Sequence, residues 1–317
     1  MKYKFYTAFV LMLQSLALIA QPHVRAHHAL VYDEAAKTIL MTAGSTPLDG
    51  GNSFKFFNDI WSYDGKQWIS KGTAGDERSG IGLAYDTKRK KLYSFGGYTG
   101  DGSSLEFRVL ENNNWKIIQE NPGVKAAEPG FVYDSHRDRL ITFGGSAGRG
   151  QVNGETWEWD GANWKKFEGN VPEARQALVM VYDSKRNKTI LFGGGGNKIP
   201  ETIFGDTWEF DGTAWKKISD TGPSPRVSAG YAYDSDKGLL ILFGGMTKTG
   251  FVNDTWSYDG NEWKKLADTG PKARAMGYLA YDKERKKVVL FGGRLGWPND
   301  ANDTWEWDGN KWNELKF

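Results

Sequence analysis

Residues 240–263 read LILFGGMTKTGFVNDTWSYDGNEW, and most of this stretch recurs along the chain at intervals of about fifty residues. It opens with a hydrophobic run that closes on a glycine doublet, and it ends on two tryptophans separated by an Asp-Gly pair. The hydrophobic runs end at Gly44, Gly97, Gly145, Gly194, Gly245 and Gly293. A period of this size, built from short β-rich segments, is typical of a propeller, since one unit cannot bury both of its faces alone.

Each repeat predicts four short antiparallel strands, a to d. In the fifth copy, period-two alternation bounded by turn residues predicts strands at 228–233, 239–243, 255–258 and 262–266. Because successive strands alternate in direction, the b–c and d–a connections share one face, which we call the loop face. We therefore predict an all-β fold, a six-bladed β-propeller of four-stranded antiparallel blades. The blades are expected at about 21–71, 72–122, 123–171, 172–222, 223–270 and 271–317.

Composition narrows the function classes. Of the 14 tryptophans, 11 fall at the two repeating positions, which marks them as core residues. The net charge of +2 gives no case for nucleic acid. With no cysteine, disulfides, thiolate metal sites and cysteine nucleophiles are excluded, and no motif calls for a metal or another cofactor.

The first twenty residues differ from the rest: a basic start, MKYK, precedes an apolar stretch of signal-peptide length. We interpret residues 1–20 as a signal peptide that is removed, which predicts a secreted or periplasmic protein with no membrane attachment; an uncleaved anchor is the alternative. Cleavage could follow Ala20 or Ala26. The segment 22–25 matches 172–175 and 271–274 in later repeats, and this favours Ala20.

The repeat resembles the kelch pattern of a hydrophobic strand, a Gly-Gly doublet, a separated aromatic pair and an opening arginine. This resemblance covers residues 22–317 and implies a kelch β-propeller similar to bacterial exported kelch proteins and to the central domain of galactose oxidase. The copper site of galactose oxidase is excluded, because it needs a cysteine that this chain lacks. The first repeat has its own strand a and the last has its own strand d. We therefore expect the ring to close by packing of blade 6 on blade 1, without the shared strand common in the family.

Two sets of basic residues are candidate ligand contacts. Opening arginines stand seven residues before a Tyr-Asp pair in five repeats: Arg25, Arg78, Arg175, Arg226 and Arg274. They are expected near the mouth of the central channel, where they either bind an anionic group or join the blades through carbonyls and acidic side chains. The repeat breaks where Arg108 replaces a tryptophan and Ala126 replaces an opening arginine. Either this is drift, or blades 2 and 3 border a ligand.

Aromatic residues on the variable loops form a second group of candidates. Apolar rings on long loops are costly unless they pack or bind a ligand. The loops carry Phe54, Phe56, Phe57, Phe204, Phe251 and Trp297. Of these, Trp297, in RLGWPND, is the best single candidate for a ligand contact.

Catalytic motifs are scarce, so we expect a monomeric binding module rather than an enzyme, with no catalytic residues assigned. Its expected ligand is a glycan, an acidic small molecule or a protein, bound on the loop face. The alternative is a carbohydrate-active enzyme, such as a sialic-acid mutarotase-like epimerase or a glycan hydrolase, at the same mouth. A buried glutamate close to two channel arginines would favour the enzyme, and a broad aromatic face would favour binding.

Overall fold

A computed structural model describes residues 21–119, 123 and 126–317, and it places six four-stranded antiparallel blades in a ring, which confirms the predicted propeller. The predicted signal peptide, residues 1–20, lies outside the described residues. Within the described ranges the only helix is a single 3-10 turn, Asp49–Gly51, and no helix there could span a membrane.

Strands a surround the central channel, and strands b, c and d follow outward in each blade. Strands a are Ala29–Asp33, Gly82–Asp86, Gly130–Asp134, Val179–Asp183, Gly230–Asp234 and Tyr278–Asp282. Strands b are Thr38–Thr42, Lys91–Phe95, Arg139–Phe143, Lys188–Phe192, Leu239–Phe243 and Lys287–Gly296. Strands c are Ser53–Tyr63, Phe107–Glu111, Thr156–Trp159, Thr207–Phe210, Thr255–Tyr258 and Asn299–Trp307. Strands d are Trp68–Arg78, Asn114–Gln119, Trp164–Lys166, Trp215–Ser219, Trp263–Ala267 and Trp312–Leu315.

Short hairpins stiffen the b–c loops. In blade 1, Ser45–Leu48 pairs with the first part of strand c. The other pairs are Tyr98–Thr99 with Gly102–Ser103, Ser146–Gly148 with Gln151–Val152, and Met246–Thr247 with Gly250–Phe251. In blade 6, strands b and c continue into the loop until Gly296 pairs with Asn299. The loop face is therefore built largely on β-structure.

The predicted strand bounds in blade 5 are correct for strands b and c and differ slightly for the others. Strand a begins at Gly230 rather than at Ser228, because Ser228 has a left-handed φ of 51° and cannot be part of an extended strand. Strand d is shifted by one residue, to Trp263–Ala267.

The hydrophobic core lies between adjacent blades. Phe243 of blade 5 packs with Leu290 and Trp312 of blade 6, and Phe291 of blade 6 packs with Trp68 of blade 1. Because each cluster takes side chains from two blades, a single repeat has no core of its own. This is the physical reason why the sequence repeats its hydrophobic positions so closely.

In four of the six repeats, a hydrogen bond from the second tryptophan also joins two blades. Trp263 Nε1 donates to Thr207 Oγ1 of the preceding blade at 2.9 Å. Trp215, Trp312 and Trp68 make the same kind of bond, the last across the junction of blades 6 and 1. A buried indole N–H needs such an acceptor, which accounts for the threonine that precedes the first tryptophan in most repeats.

The glycine doublets bring neighbouring blades into close contact. Gly244 has a φ of 64°, and a Cβ there would lie 2.5 Å from the carbonyl oxygen of Arg274 in the next blade. The N–H of Gly245 donates to that same carbonyl at 2.8 Å. Only glycine fits both the backbone conformation and the close approach.

The ring closes without a shared strand, as predicted. Among the described residues, the four main strands of every blade come from one repeat. Blade 6 meets blade 1 through the N–H of Gly293, which donates to the Arg25 carbonyl at 2.9 Å.

Candidate functional site on the loop face

Four of the five opening arginines have the same set of partners. The side chain of Arg226 is fully buried; its Nη1 donates to the Gly244 carbonyl at 2.9 Å and to Asp254 Oδ1 at 2.7 Å, and its Nε donates to the Ser224 carbonyl at 2.9 Å. Equivalent bonds are made by Arg25, Arg175 and Arg274.

The aspartate in this set is shared with the first tryptophan of the repeat. Asp254 Oδ2 accepts from Trp256 Nε1 at 2.7 Å as well as from Arg226 Nη2 at 3.0 Å. Burial alone would raise the pKa of Asp254, but the hydrogen bond and the charge of Arg226 outweigh it and hold the pKa below its usual value. The guanidinium is thereby neutralised within its own blade. The side-chain partners of the arginine therefore lie in its own blade, whereas the structural alternative had expected bonds that join adjacent blades.

Sequence reasoning missed this acidic position, although its signal was present. An Asp or Glu stands two residues before the first tryptophan position in all six repeats: Asp59, Glu106, Glu155, Asp206, Asp254 and Asp303. A carboxylate repeated at the same distance from a repeated arginine predicts a pair between them.

Blade 2 departs from the pattern, and the carboxylates of Asp76 and Glu106 compensate. Arg108, in place of the first tryptophan, is buried and donates to Asp76 Oδ1 at 2.8 Å and to Ser94 Oγ at 3.2 Å. Arg78 donates to the same Asp76 and also to Glu106 Oε2 at 2.7 Å. Burial, together with the charge of Arg78, lowers the pKa of Arg108 to about 10. Two buried arginines are thus balanced by two carboxylates.

Blade 3 lacks the arginine altogether. Ala126 is fully buried, and its carbonyl accepts from Gly97 N–H at 3.0 Å, as an arginine carbonyl does at the other junctions. Glu155, the carboxylate of this blade, instead accepts from Lys166 Nζ at 2.5 Å and from Trp157 Nε1 at 2.9 Å.

A ring of backbone hydrogen bonds encircles the channel at the loop face. Its six members stand two residues after the arginine position of each repeat, and each N–H donates to the carbonyl of the preceding member over 2.7–3.1 Å. The members of this mouth ring are His27, Gly80, Glu128, Ala177, Ser228 and Met276. All have φ between 51° and 59°. No residue type repeats at this position, so sequence periodicity gave no sign of the ring.

The channel holds a chamber of about 270 Å³ behind the mouth ring. Its walls are strands a, and its far end is formed by six tyrosines: Tyr32, Tyr85, Tyr133, Tyr182, Tyr233 and Tyr281. Glu128 and Ser228 line its loop-face end, and none of the five opening arginines lines it. The arginines therefore lie beside the channel, in the blades, rather than around its mouth.

The two adjacent histidines occupy different surroundings, and both precede strand a of blade 1, which begins at Ala29. His27 Nε2 lies 2.8 Å from Glu128 Oε1. These two residues are the members of the mouth ring on either side of Gly80. His28 is fully buried, with ring centroids 5.5 Å from both Tyr278 and Phe291. Burial, aided by the charge of Arg25, lowers the pKa of His28 well below its usual value.

The loop aromatics divide into packed and exposed groups. Phe204 covers the guanidinium of Arg175, whose Cζ lies 4.0 Å from the ring centroid, and Phe57 covers Arg25 in the same way. Phe251 is partly buried, on the Gly250–Phe251 hairpin strand. These three rings pack against the propeller.

Trp297 and Phe54 remain exposed, by 54% and 44%, and their ring centroids lie 5.6 Å apart. Phe56 is the next ring along, 6.4 Å from Phe54. Beneath them Arg294 has its Cζ 5.0 Å from the Trp297 centroid and 5.9 Å from that of Phe54. We call Phe54, Phe56, Trp297 and Arg294 the aromatic patch.

Comparison with known proteins agrees with this architecture. A family model described as the KLHDC2/KLHL20/DRC7 Kelch-repeats domain matches residues 152–317, just over half of the chain. The chain therefore belongs to the kelch-repeat family of β-propellers. No curated protein matches it. Kelch propellers are common protein-binding modules.

Proposed function

We propose that this protein is an exported binding module that recognises a protein partner through the aromatic patch on its loop face. The observation that carries the proposal is the pair of exposed rings, Phe54 and Trp297, held side by side by blades 1 and 6. Large rings left in water are unfavourable, and contiguous exposed apolar surface marks interaction sites on soluble proteins.

The patch is built to stay in place. Arg294 is nearly buried and donates to both carboxylate oxygens of Asp300, at 2.8 and 3.2 Å, so its guanidinium is a fixed platform for the rings. A Cβ on Gly51 would lie only 2.5 Å from Trp297 Nε1, which shows how closely the blade 1 hairpin approaches the indole. Tryptophan and arginine in a preorganised cluster are the residue types that dominate binding energy at protein interfaces.

The charge pattern favours a binding module over the enzymatic alternative. Glu128, the carboxylate at the loop-face end of the chamber, lies beside His27, and the five opening arginines are bound to carboxylates or carbonyls elsewhere. A buried glutamate close to two channel arginines would have favoured the enzyme, and none of the opening arginines lines the chamber beside Glu128. We accordingly assign the arginines, including Arg108, to the scaffold, and Trp297 to the ligand contact.

Export belongs to the proposal on sequence grounds alone, from the basic start and apolar stretch of residues 1–20. A protein outside the cytoplasm would meet its partner in the periplasm or the medium, so the partner is sought there. A glycan or an acidic small molecule on the same patch is the other class of ligand to be tested.

Pulldowns from the extracytoplasmic fraction with three baits test the proposal: the unaltered protein, Trp297→Ala and Ile118→Ala. Ile118 is the matched control, since it is an exposed apolar residue, 44% accessible, on strand d of blade 2 rather than on the patch. We expect a partner that the unaltered protein and Ile118→Ala both capture, with affinity reduced about tenfold or more in Trp297→Ala. Equal capture by all three baits, or binding on a glycan array without any protein partner, would contradict the proposal.

A further inference from the structure

The chamber behind the mouth ring contains a carboxylate, that of Glu128, which pairs with a histidine and with no lysine or arginine among the described residues. Glu34, Glu128 and Lys283 are the charged residues that line the chamber within the described part of the chain. Glu34 and Lys283 pair with each other. Glu128, whose side chain is 11% exposed, has His27 as its only ionic partner among the described residues. No arginine or lysine lines the loop-face end of the chamber.

Hydroxyl groups accompany Glu128 at this end. Ser228, Tyr231 and Tyr278 all line the chamber. Burial, reinforced by the negative charge of Glu128, raises the pKa of Tyr278 well above its usual value. Tyr278 therefore stays a neutral hydroxyl, able to donate to or accept from a guest molecule.

The remaining walls are apolar and aromatic. Leu30, Leu83, Val132, Met180 and Ala232 line the middle of the chamber, and the six tyrosines close its far end. A volume of about 270 Å³ is close to the lower end of the usual range for small-molecule pockets. Such a chamber accepts a compact apolar group and one polar group placed near Glu128.

The negative charge of Glu128 determines which class of ligand the chamber can bind. A carboxylate with little access to water attracts a cation strongly and repels an anion. We propose that the chamber is a binding site for a small organic amine, with its ammonium group on Glu128 and its apolar part against the chamber walls. This site is separate from the aromatic patch and does not depend on the proposed partner.

Three probes of similar size and different charge test the assignment: benzylamine, benzyl alcohol and benzoate. Benzylamine should raise the melting temperature of the protein in proportion to the logarithm of its concentration. Benzyl alcohol should give a smaller rise, and benzoate none. An equal effect of the three probes, or no effect of benzylamine, would overturn the proposal, and neither result requires a variant to fold.

Variants then locate the site by calorimetric titration of benzylamine. Glu128→Gln should weaken binding about tenfold or more, because it removes a charged hydrogen-bond partner. Tyr278→Phe should weaken it severalfold without changing the charge. Glu168→Gln is the matched control, an exposed glutamate of blade 3 outside the chamber, and it should bind as the unaltered protein does. Binding that survives Glu128→Gln and Tyr278→Phe unchanged would place the amine elsewhere.

Discussion

The N–H of Gly293 donates a hydrogen bond of 2.9 Å to the carbonyl of Arg25, so the last repeat holds the first by the contact that joins every other pair of blades. The same bond links Gly245 to Arg274 at 2.8 Å within the ring. Arg25 N–H in turn donates to Ala301 at 3.2 Å. Closure of the ring therefore depends on the segment that contains Arg25, only a few residues beyond the predicted signal peptide.

This contact leads to a prediction about processing. We expect cleavage after Ala20 and a mature protein that begins at Gln21. Cleavage after Ala26 would remove Arg25, together with its bonds to Gly293 and to Asp59 Oδ1 at 2.6 Å. Intact mass and N-terminal sequencing of the exported protein decide between the two sites, with allowance for cyclisation of the terminal glutamine. An exported protein that begins at His27 would contradict the prediction.

The opening arginines should behave as structural residues. Arg226→Ala leaves Asp254 without its ionic partner in a largely buried position, and we expect the free energy of unfolding to fall by about 3 kcal/mol. Urea denaturation measures the loss. Arg226→Ala combined with Asp254→Asn should recover part of it, because the unpaired charge is then gone.

A different result for Arg226→Ala would contradict the structural role of the arginines. If Arg226→Ala melts as the unaltered protein does and loses only the response to a sugar acid or acidic peptide, the arginines bind an anion. The role of ligand contact would then return to them.

The sequence predicted the features that each blade repeats. Strand order, glycine doublets and tryptophan pairs are imposed by the same packing at every junction, so the same residue types recur and the pattern is visible. Both members of the arginine–carboxylate pair also repeat in the sequence, but only the arginine was predicted to have a role. Its second member, such as Asp254, was overlooked.

The mouth ring and the pairing of Phe54 with Trp297 could not be predicted, because they depend on backbone geometry and on contacts between distant loops. The mouth ring uses N–H and C=O groups in a left-handed conformation, which His27, Glu128 and Met276 adopt as well as Gly80. Side-chain patterns cannot reveal it. Phe54 and Trp297 come together only because the first and sixth blades are neighbours in the closed ring. The sequence singled out Trp297, but it gave no reason to pair it with Phe54.

Two tryptophans should differ sharply in their effect on stability. Trp215 is 7% exposed and donates to Thr156 across a blade junction, so Trp215→Ala should lower the free energy of unfolding by about 3–5 kcal/mol. Trp297→Ala should change it by about 1 kcal/mol or less, since about half of the residue is exposed to water. Urea denaturation of both variants checks the difference. Similar losses would mean that the aromatic patch is part of the core.

Acid should destabilise the propeller through the arginine-bound aspartates. The pKa values of Asp59, Asp206, Asp254 and Asp303 are all held below the ordinary 3.8. Burial opposes this shift in each case, and the hydrogen bonds and charge of the paired arginines outweigh it. These aspartates therefore bind protons more weakly in the folded state than in the unfolded chain. The pairs contribute their full stability above the ordinary pKa of 3.8. They lose it as the pH falls through the lower pKa values of the folded state. We expect the melting temperature to be nearly constant down to about pH 5 and to fall steeply below about pH 4.

Asp254→Asn, which cannot be protonated in this range, should start from a lower melting temperature and show a shallower fall. A melting temperature that stays constant to about pH 3 in the unaltered protein, or an identical fall in the variant, would show that these pairs do not set its acid stability.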